Sequence, residues 1–264
     1  MSTAAAAADA AGCIMGHEFT AKVRYSEVDE HELLTITHVL DLFQDCVVFH
    51  SDAAGVPMDY WRRRDVFWVI TSWKLLIARR PKLSEMITVR TDATAFKGFR
   101  GRRNFTIRDM QGNILIAADS SWALLDYTRG GMPAKILPEE AEAYGLAEPL
   151  PMREERERIG IPPVSGDPIV VMQYHLDTNH HMNNAHFLQT AMSYLPDGFE
   201  PRTVRIAYHR QAVEGDMLYP AFAMEEHRMY GAFVNEENEP YALLMLSDSV
   251  AEEDARVFEA GSGS

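Results

Sequence analysis

Residues 177–184 read DTNHHMNN and place one Asp, two His and three Asn directly before a predicted helix. Asp and Asn cap helix N termini well, but capping needs only one side chain. A helix start also offers free backbone N–H groups and a positive dipole end, which can hold a carbonyl oxygen as it becomes an oxyanion. A nearby carboxylate, imidazole and amide can orient that carbonyl and deprotonate water. The alternate spacing of Asp177, Asn179 and His181 therefore favours a hydrolytic site that uses water directly.

Two other kinds of site are disfavoured by the same segment. Four of the ten histidines lie between residues 175 and 186, at His175, His180, His181 and His186. Adjacent histidines tend to point apart, however, and the sequence has neither a nearby Cys pair nor a His-Glu-x-x-His pattern, so we expect no metal. No local signature of a Ser or Cys nucleophile is present either.

The elements around this segment occur twice. In the first half, a strand is predicted over 17–25, and a helix capped by Thr35 or Thr37 runs to about Ala54. In the second half, a strand over 168–176 precedes a helix that starts near Asn183 or Asn184 and ends near Leu195. Strand-like runs follow each helix, at 66–77, 86–96, 100–110 and 114–126, and at 202–213, 217–230, 231–235 and 239–250.

The two halves align residue by residue. Asp29 matches Asp177, His38 matches His186, and SEMI (84–87) matches GDML (215–218). A repeat of strand, long helix and several antiparallel strands indicates a helix wrapped by a sheet, which is the hotdog arrangement. We therefore predict an α+β fold of two tandem hotdog units that form an intrachain pseudo-dimer, with the sheets joined edge to edge so that no hazardous edge is left exposed.

The domain limits follow from this repeat. We expect a first hotdog over 17–137, which binds or scaffolds, and a catalytic second hotdog over 168–260. The Pro-rich and charged segment 138–167 is predicted to connect them. Residues 1–16 are predicted to be a flexible extension, and 261–264 (GSGS) a linker or an appended scar.

The polar cluster is present in the second copy alone. His31 stands where the second copy has Asn179, Leu33 where it has His181, and Thr35 where it has Asn183. A cluster that only starts such a helix should occur in both copies, so we expect the chemistry in the second half.

The charge is uneven along the chain. The net charge is −14, yet residues 62–108 carry 13 basic and 3 acidic side chains. The basic residues fall mainly in three clusters, RRR (62–64), RRPK (79–82) and KGFRGRR (97–103). A solvated basic face accounts for any single cluster, but three clusters in one segment favour a surface that docks a polyanion. The overall acidity argues against nucleic acid, so a small acidic protein or a phosphate-bearing cofactor arm is the better partner.

Composition limits the remaining possibilities. Nearly half of the 264 residues are apolar, which is enough for a packed core without staples. Cys46 lies among apolar residues and Cys13 in a tail, as expected for a reduced, cytoplasmic protein. The alanine-rich N terminus has no Lys or Arg, and Asp9 interrupts it, so no secretion signal is expected; nor does any run approach the ~20 residues of a membrane span.

The motif resembles the Asp-x-Asn-x-His-(Val/Met)-Asn-Asn pattern of the plant and bacterial acyl-acyl-carrier-protein thioesterases, a double-hotdog family. The likeness covers about residues 17–255 and includes RYSEVD (24–29) and YHRQAVEGD (208–216). It implies that Asp177, Asn179 and His181 are catalytic and that the first hotdog binds the acyl chain. The family usually has a water-activating Glu where this chain has Gln211, and an amide cannot act as a base. Gln211 is then expected to position the water.

The resemblance implies a partner and a substrate: acyl carrier protein (ACP) bearing a fatty acyl phosphopantetheine, without any cofactor. A homodimer of the chain is a further possibility. Two rival functions stay open, an acyl-CoA hydrolase and a degenerate protein that binds acyl groups or their carrier without turnover. A hotdog dehydratase is disfavoured, because no second cluster supplies its acid and base. Bulky candidates for the acyl pocket are Phe67, Trp68, Trp73, Phe96 and Trp122. Predicted carrier-docking residues are Arg79, Arg80, Lys82, Arg100, Arg102 and Arg103.

Overall fold

The computed structural model describes residues 13–154 and 158–261. Most of the predicted N-terminal extension, the end of the GSGS tail and residues 155–157 of the charged run lie outside these ranges.

The described chain contains five α-helices, and their bounds are α1 Ile36–Ala53, α2 Met58–Arg63, α3 Pro138–Glu142, α4 Asn184–Met192 and α5 Glu252–Ala255. The strands are β1 Ile14–Met15, β2 His17–Lys22, β3 Val66–Ile77, β4 Met86–Lys97, β5 Arg100–Arg108, β6 Ile114–Asp126, β7 Met132–Pro133, β8 Tyr144–Gly145, β9 Ile169–Val170, β10 Thr203–Tyr208, β11 Met217–Glu225, β12 Arg228–Val234 and β13 Pro240–Ser247. Short 3-10 helices span Tyr25–Glu27, Tyr127–Arg129, Gln173–His175 and Arg256–Gly261.

One large sheet joins the two halves. Its strand order is β2-β4-β5-β6-β3-β10-β13-β12-β11-β9, with β7 added beside β6. The first five strands belong to the first half and the last five to the second. The halves meet where β3 and β10 pair antiparallel, with Leu75 opposite Val204 and Trp73 opposite Ile206. This order confirms the predicted α+β fold of two hotdog units joined at their sheet edges.

Helix α1 begins and ends where its sequence predicts. The hydroxyl of Thr35 accepts a hydrogen bond from the His38 N–H at 3.2 Å, which identifies Thr35 as the cap. Val39, Phe43 and Cys46 recur at helical spacing and are fully buried, so one stripe of the helix packs into the core. Gly55 follows with a φ of 76°, a left-handed conformation that ends the helix at little cost.

Three local predictions in the second half were wrong. Helix α4 ends at Met192, three residues before the predicted Leu195. Only Ile169–Val170 of the predicted strand 168–176 forms a strand, and a 3-10 helix follows. The predicted strand 217–230 is a hairpin that turns at Glu226, whose φ is 49°. Because this turn has no Gly or Pro, the sequence pattern did not reveal it.

The predicted connector contains two short elements in its described part. Helix α3 starts at Pro138, a residue suited to the first helical turn. Strand β8 then pairs with β1 near the N terminus. Among the described residues, no helix has the length and apolar character needed to cross a lipid bilayer.

Candidate active site

The polar segment forms a tight loop built on Asp177. The Oδ1 atom of Asp177 accepts hydrogen bonds from the N–H groups of Asn179, at 2.8 Å, and His181, at 3.3 Å. The Asp177 N–H donates to the His181 carbonyl at 2.8 Å, and His180 has a φ of 61°. The side chain of Asp177 thus fixes the backbone that carries Asn179 and His181.

The first half contains the same loop without the chemistry. The Oδ1 atom of Asp29 accepts from the N–H groups of His31, at 2.9 Å, and Leu33, at 3.1 Å. Glu32 has a φ of 58°, as its counterpart His180 does. The aspartate therefore has a loop-forming role in both copies, whereas the amide of Asn179 and the imidazole of His181 are replaced in the first loop by His31 and Leu33.

The two loops differ in what faces the aspartate. In the first half, Arg80 forms an ion pair with Asp29 and a second one with Glu200. The alignment that matches SEMI to GDML places Gln211 where the first half has Arg80. The Nε2 atom of Gln211 instead donates to the Tyr127 hydroxyl at 2.7 Å. Within the described ranges, no ion pair of Asp177 with Lys or Arg is found, so its charge is available to the neighbouring imidazole.

A cleft of about 390 Å³ lies beside this loop, at the seam between the two halves. Asp177, Asn179, His181 and Gln211 all line it, so the structure brings the four predicted catalytic residues together. The first half contributes residues from α1, β3 and β6, and the second half contributes the loop, the start of α4 and the end of β10. A substrate in the cleft would contact both hotdog units.

His181 has the properties of a neutral imidazole at neutral pH. Burial lowers the pKa of His181, while the negative charge of Asp177 partly opposes this effect. Its Nδ1 atom is buried and has no hydrogen-bond partner in the part of the chain that the structure describes. Buried polar atoms are rarely left unpaired in folded proteins, so this nitrogen is open to a hydrogen bond with a bound group. A neutral imidazole next to a carboxylate can accept a proton.

The start of α4 offers fewer free amides than its sequence predicts. The Met182 N–H donates to the Ala212 carbonyl and the Asn183 N–H to the His175 carbonyl. The Ala185 N–H is capped by Asn183 Oδ1 at 3.0 Å. These bonds leave the Asn184 N–H as the backbone donor at the helix start for which no hydrogen bond to another described residue is found. The free backbone N–H groups expected at this helix start are therefore reduced to that of Asn184.

Aromatic residues of the first half border the cleft. Trp68 and Trp122 line the cleft and also a small neighbouring cavity, to which Phe96 contributes. Trp73, in contrast, is 2% exposed and packs against Phe43 and Phe105 in the core. Among the predicted pocket residues, Trp68, Phe96 and Trp122 thus remain the candidates for contact with an acyl chain.

The predicted docking residues do not form one surface, and the predicted role is wrong for two of them. Arg103 is 7% exposed and lies in the protein interior, so it cannot meet a docking protein. The Arg80 side chain is 9% exposed and forms ion pairs with Asp29 and Glu200, so it has a structural role. The sequence did not reveal these carboxylates because they are distant along the chain.

The other docking candidates remain accessible. Arg79, Lys82 and Arg100 are exposed, although Arg79 pairs with Glu85. Arg102 is 41% exposed at its side chain and pairs with Asp119 and Glu154. Arg100 and Arg102 line a groove of about 910 Å³ that shares Thr71, Trp122 and Ala123 with the cleft at the Asp177 loop. A basic groove therefore adjoins the site.

Several residues of the cleft have no signal in the sequence. Gln44 lies on α1 within the helical pattern, and Tyr127 follows β6 in the first half. The Tyr208 hydroxyl donates to the Asn184 carbonyl at 3.0 Å, which ties β10 to the start of α4. Tertiary packing alone brings these residues to the loop. No group of three or more metal-binding side chains is found in the described ranges.

A doubled hotdog with a polar loop and a cleft at the seam defines the class of this protein: a double-hotdog protein. The family model described as "Acyl-ACP thioesterase N-terminal domain" matches residues 16–144. This match covers just under half of the chain, and it confirms the predicted resemblance to acyl-ACP thioesterases.

Relatives and solved structures agree with this assignment. The chain is 24% identical over 221 residues to a chloroplastic acyl-[acyl-carrier-protein] hydrolase of Cuphea viscosissima, covering 77% of this chain and 53% of the relative. It is 25% identical over 231 residues, with the same coverages, to a chloroplastic palmitoyl-acyl carrier protein thioesterase of Cuphea hookeriana. The chain thus spans about half the length of these curated relatives.

Among solved structures, an acyl-ACP thioesterase from Bacteroides thetaiotaomicron superposes with a TM-score of 0.79 at 18% identity, covering 88% of this chain and 97% of that one. A 12:0-ACP thioesterase from Umbellularia californica gives a TM-score of 0.78 at 19% identity, with coverages of 88% and 96%. At these identities the structural likeness establishes the shared fold.

Proposed function

We propose that the protein hydrolyses the thioester of fatty acyl-ACP to a free fatty acid and the carrier thiol, with water as the nucleophile. The observation that carries the proposal is the contrast between the two loops. In the first loop, Asp29 pairs with Arg80, and both line a different cavity of about 600 Å³. In the second loop, Asp177 lines the cleft together with Asn179, His181 and Gln211.

In the proposed reaction, the thioester carbonyl lies at the start of α4. The Asn184 N–H and the Asn179 side chain donate hydrogen bonds to the oxygen as it becomes an oxyanion. One such donor is typically worth roughly 3 kcal/mol of the barrier.

His181 accepts the proton of the attacking water and later passes it to the leaving thiolate. The Asp177 carboxylate stabilises the imidazolium that forms between these steps. Gln211, held by Tyr127 at the rim of the cleft, orients the water without taking its proton.

The proposed substrate extends from the cleft in two directions. The acyl chain enters the first hotdog past Trp68 and Trp122. The phosphopantetheine arm and its acidic carrier lie toward the basic groove, where Arg100 and Arg102 are the favoured docking residues. Arg79 and Lys82 lie elsewhere on the surface and remain weaker candidates. A cytoplasmic location also remains a proposal, since the two curated relatives above are chloroplastic by description.

The proposal is tested by measuring kcat/KM on acyl-ACP and acyl-CoA that carry the same acyl group. We expect hydrolysis of both to depend on Asn179 and acyl-ACP to be the better substrate. Asn179→Ala should lower kcat by about 100-fold, as for the loss of one oxyanion donor. His31→Ala is the matched control, because His31 occupies the same exposed position in the first loop and should leave kcat unchanged.

Three results would contradict parts of this proposal. A clear preference for acyl-CoA would show that the substrate is acyl-CoA and not acyl-ACP. A rate equal to the uncatalysed one would favour a protein that binds acyl groups without turnover. Equal effects of Asn179→Ala and His31→Ala would remove the case for a site in the second loop.

A further inference from the structure

A small cavity lies beside the aromatic residues of the cleft. Its volume is about 20 Å³, and Trp68 and Trp122 line both this cavity and the cleft. Phe96, Gly101 and Arg103 also line the cavity. A chain that enters the first hotdog between the two tryptophans would therefore approach Arg103.

Arg103 is a buried cation that forms no ion pair with a carboxylate of the described residues. Asp92, whose charge favours the charged guanidinium, is itself paired with Arg90. Its Nη1 atom donates to His50 Nδ1 at 2.9 Å and to the Thr91 hydroxyl at 3.4 Å. The guanidinium also lies over the Tyr144 ring, 4.9 Å from its centroid. Across residues 13–154 and 158–261, no ion pair of Arg103 with Asp or Glu is found.

The histidine beside Arg103 is held neutral. Burial and the charge of the guanidinium lower the pKa of His50 to about 3. Its Nε2 atom lies 3.2 Å from the Ile14 carbonyl, which accepts a hydrogen bond from it. Nδ1 is then the acceptor that faces Arg103, and the histidine contributes no charge of either sign.

A guanidinium in this position is costly for the fold. Burial disfavours its charged form and lowers the pKa of Arg103, yet an arginine side chain keeps its proton at neutral pH. Taking an ion out of water costs several kcal/mol unless a counter-charge compensates it. An apolar residue would fill the end of a purely hydrocarbon pocket without this penalty.

We propose that Arg103 forms the inner end of the acyl pocket and recognises an oxygen acceptor at the far end of the acyl chain, with a carboxylate as the best partner. This inference rests on the proposed function, because it places the acyl group in the first hotdog. The substrate class would be acyl groups with a polar terminus, in preference to chains of matched length that end in a methyl group. A carboxylate can bind a guanidinium through two parallel hydrogen bonds, and such charge-assisted bonds are the strong ones.

The first test measures binding without turnover. The full chain is titrated by calorimetry with straight-chain monocarboxylic and α,ω-dicarboxylic acids over a series of matched lengths. One carboxylate of either acid represents the reacting end of the substrate. We expect an optimum length at which the diacid binds about tenfold more tightly than the monoacid, and Arg103→Met should reduce this ratio to about one.

A second variant, Gly101→Ala, tests the same cavity in case Arg103→Met does not fold. A Cβ atom at Gly101 would lie 3.2 Å from the rings of Phe96 and Trp68, and this residue has no left-handed φ. Gly101→Ala should therefore narrow the cavity without changing Arg103. We expect it to remove the diacid preference while short monoacids bind as before.

The inference is overturned if monoacids bind as tightly as diacids at every length, or if both variants keep the diacid preference. In that case Arg103 serves only the packing of His50, Thr91 and Tyr144. Failure of the proposed function is seen separately, as an absence of thioester hydrolysis with every acyl group, and it leaves the binding titration interpretable.

Discussion

Neutralising the two matching aspartates should have opposite consequences for stability and activity. Asp29→Asn and Asp177→Asn each replace a carboxylate whose Oδ1 atom accepts two backbone N–H groups. An asparagine Oδ1 can accept the same two bonds, so both loops should keep their shape. The two variants then differ in the group that interacted with the lost negative charge, which is Arg80 for Asp29 and His181 for Asp177.

The stability effects follow from the partners. Asp29→Asn leaves Arg80, which is 9% exposed, with the exposed Glu200 as its one remaining ion-pair partner among the described residues. Breaking a buried pair costs about 3–5 kcal/mol and an exposed one about 0–1. Because Asp29 is 27% exposed, we expect a loss of about 2–3 kcal/mol. Asp177→Asn removes only the charge assistance of two hydrogen bonds, worth about 1 kcal/mol.

The activity effects should be reversed. Asp177→Asn withdraws the charge that stabilises the His181 imidazolium, so kcat on acyl-ACP should fall by about 100-fold. Asp29→Asn should keep kcat within about threefold, because Asp29 lines a different cavity from the cleft of Asp177 and His181. Urea unfolding and steady-state kinetics on the same preparations measure both effects. Equal losses of kcat in the two variants, or an unchanged kcat for Asp177→Asn, would refute the assignment of different roles to the two loops.

Three further predictions follow from the structure. Gln211→Glu should keep or raise kcat, since it supplies a base beside the water; a large loss in steady-state assays would show that the amide itself is required. The pKa of about 3 for His50 lies below its ordinary value of 6.5, so the unfolded chain takes up a proton first as pH falls. The contribution of neutral His50 to the free energy of unfolding is complete above pH 6.5 and falls by about 2 kcal/mol between pH 7 and pH 5. Urea unfolding of His50→Gln at both pH values should lack this loss. If the variant loses as much stability between pH 7 and pH 5 as the unmutated chain, the prediction is wrong. Gly231→Ala should cost about 1–3 kcal/mol, because a Cβ would lie 2.2 Å from the Phe222 ring, whereas Gly160→Ala, with nothing within 4 Å, should melt like the unmutated chain.

Much of the fold was predictable because the hydrophobic pattern is repeated. The helical stripe of α1, its Thr35 cap and the four long strands of the first half agree with their sequence patterns. The alignment of the two halves also predicted that the sheets join edge to edge. Patterns of period 2 and 3.6 determine such elements locally, without knowledge of the tertiary structure.

The errors arose where tertiary contacts decide the conformation. The segment after Val170 has a strand-like composition but turns into a 3-10 helix, because it must carry the Asp177 loop back to α4. The burial of Arg103 could not be predicted either, since its neighbours His50 and Tyr144 come from distant segments. A basic run reveals its charge but not which of its members points inward.

The most direct test of the account is the rate of acyl-ACP hydrolysis by His181→Ala, compared with the unmutated chain at neutral pH. Loss of the general base should lower kcat by about 10²–10⁴-fold while the melting temperature changes little. A kcat within about tenfold of the unmutated value would contradict the central claim that the second loop activates water through His181.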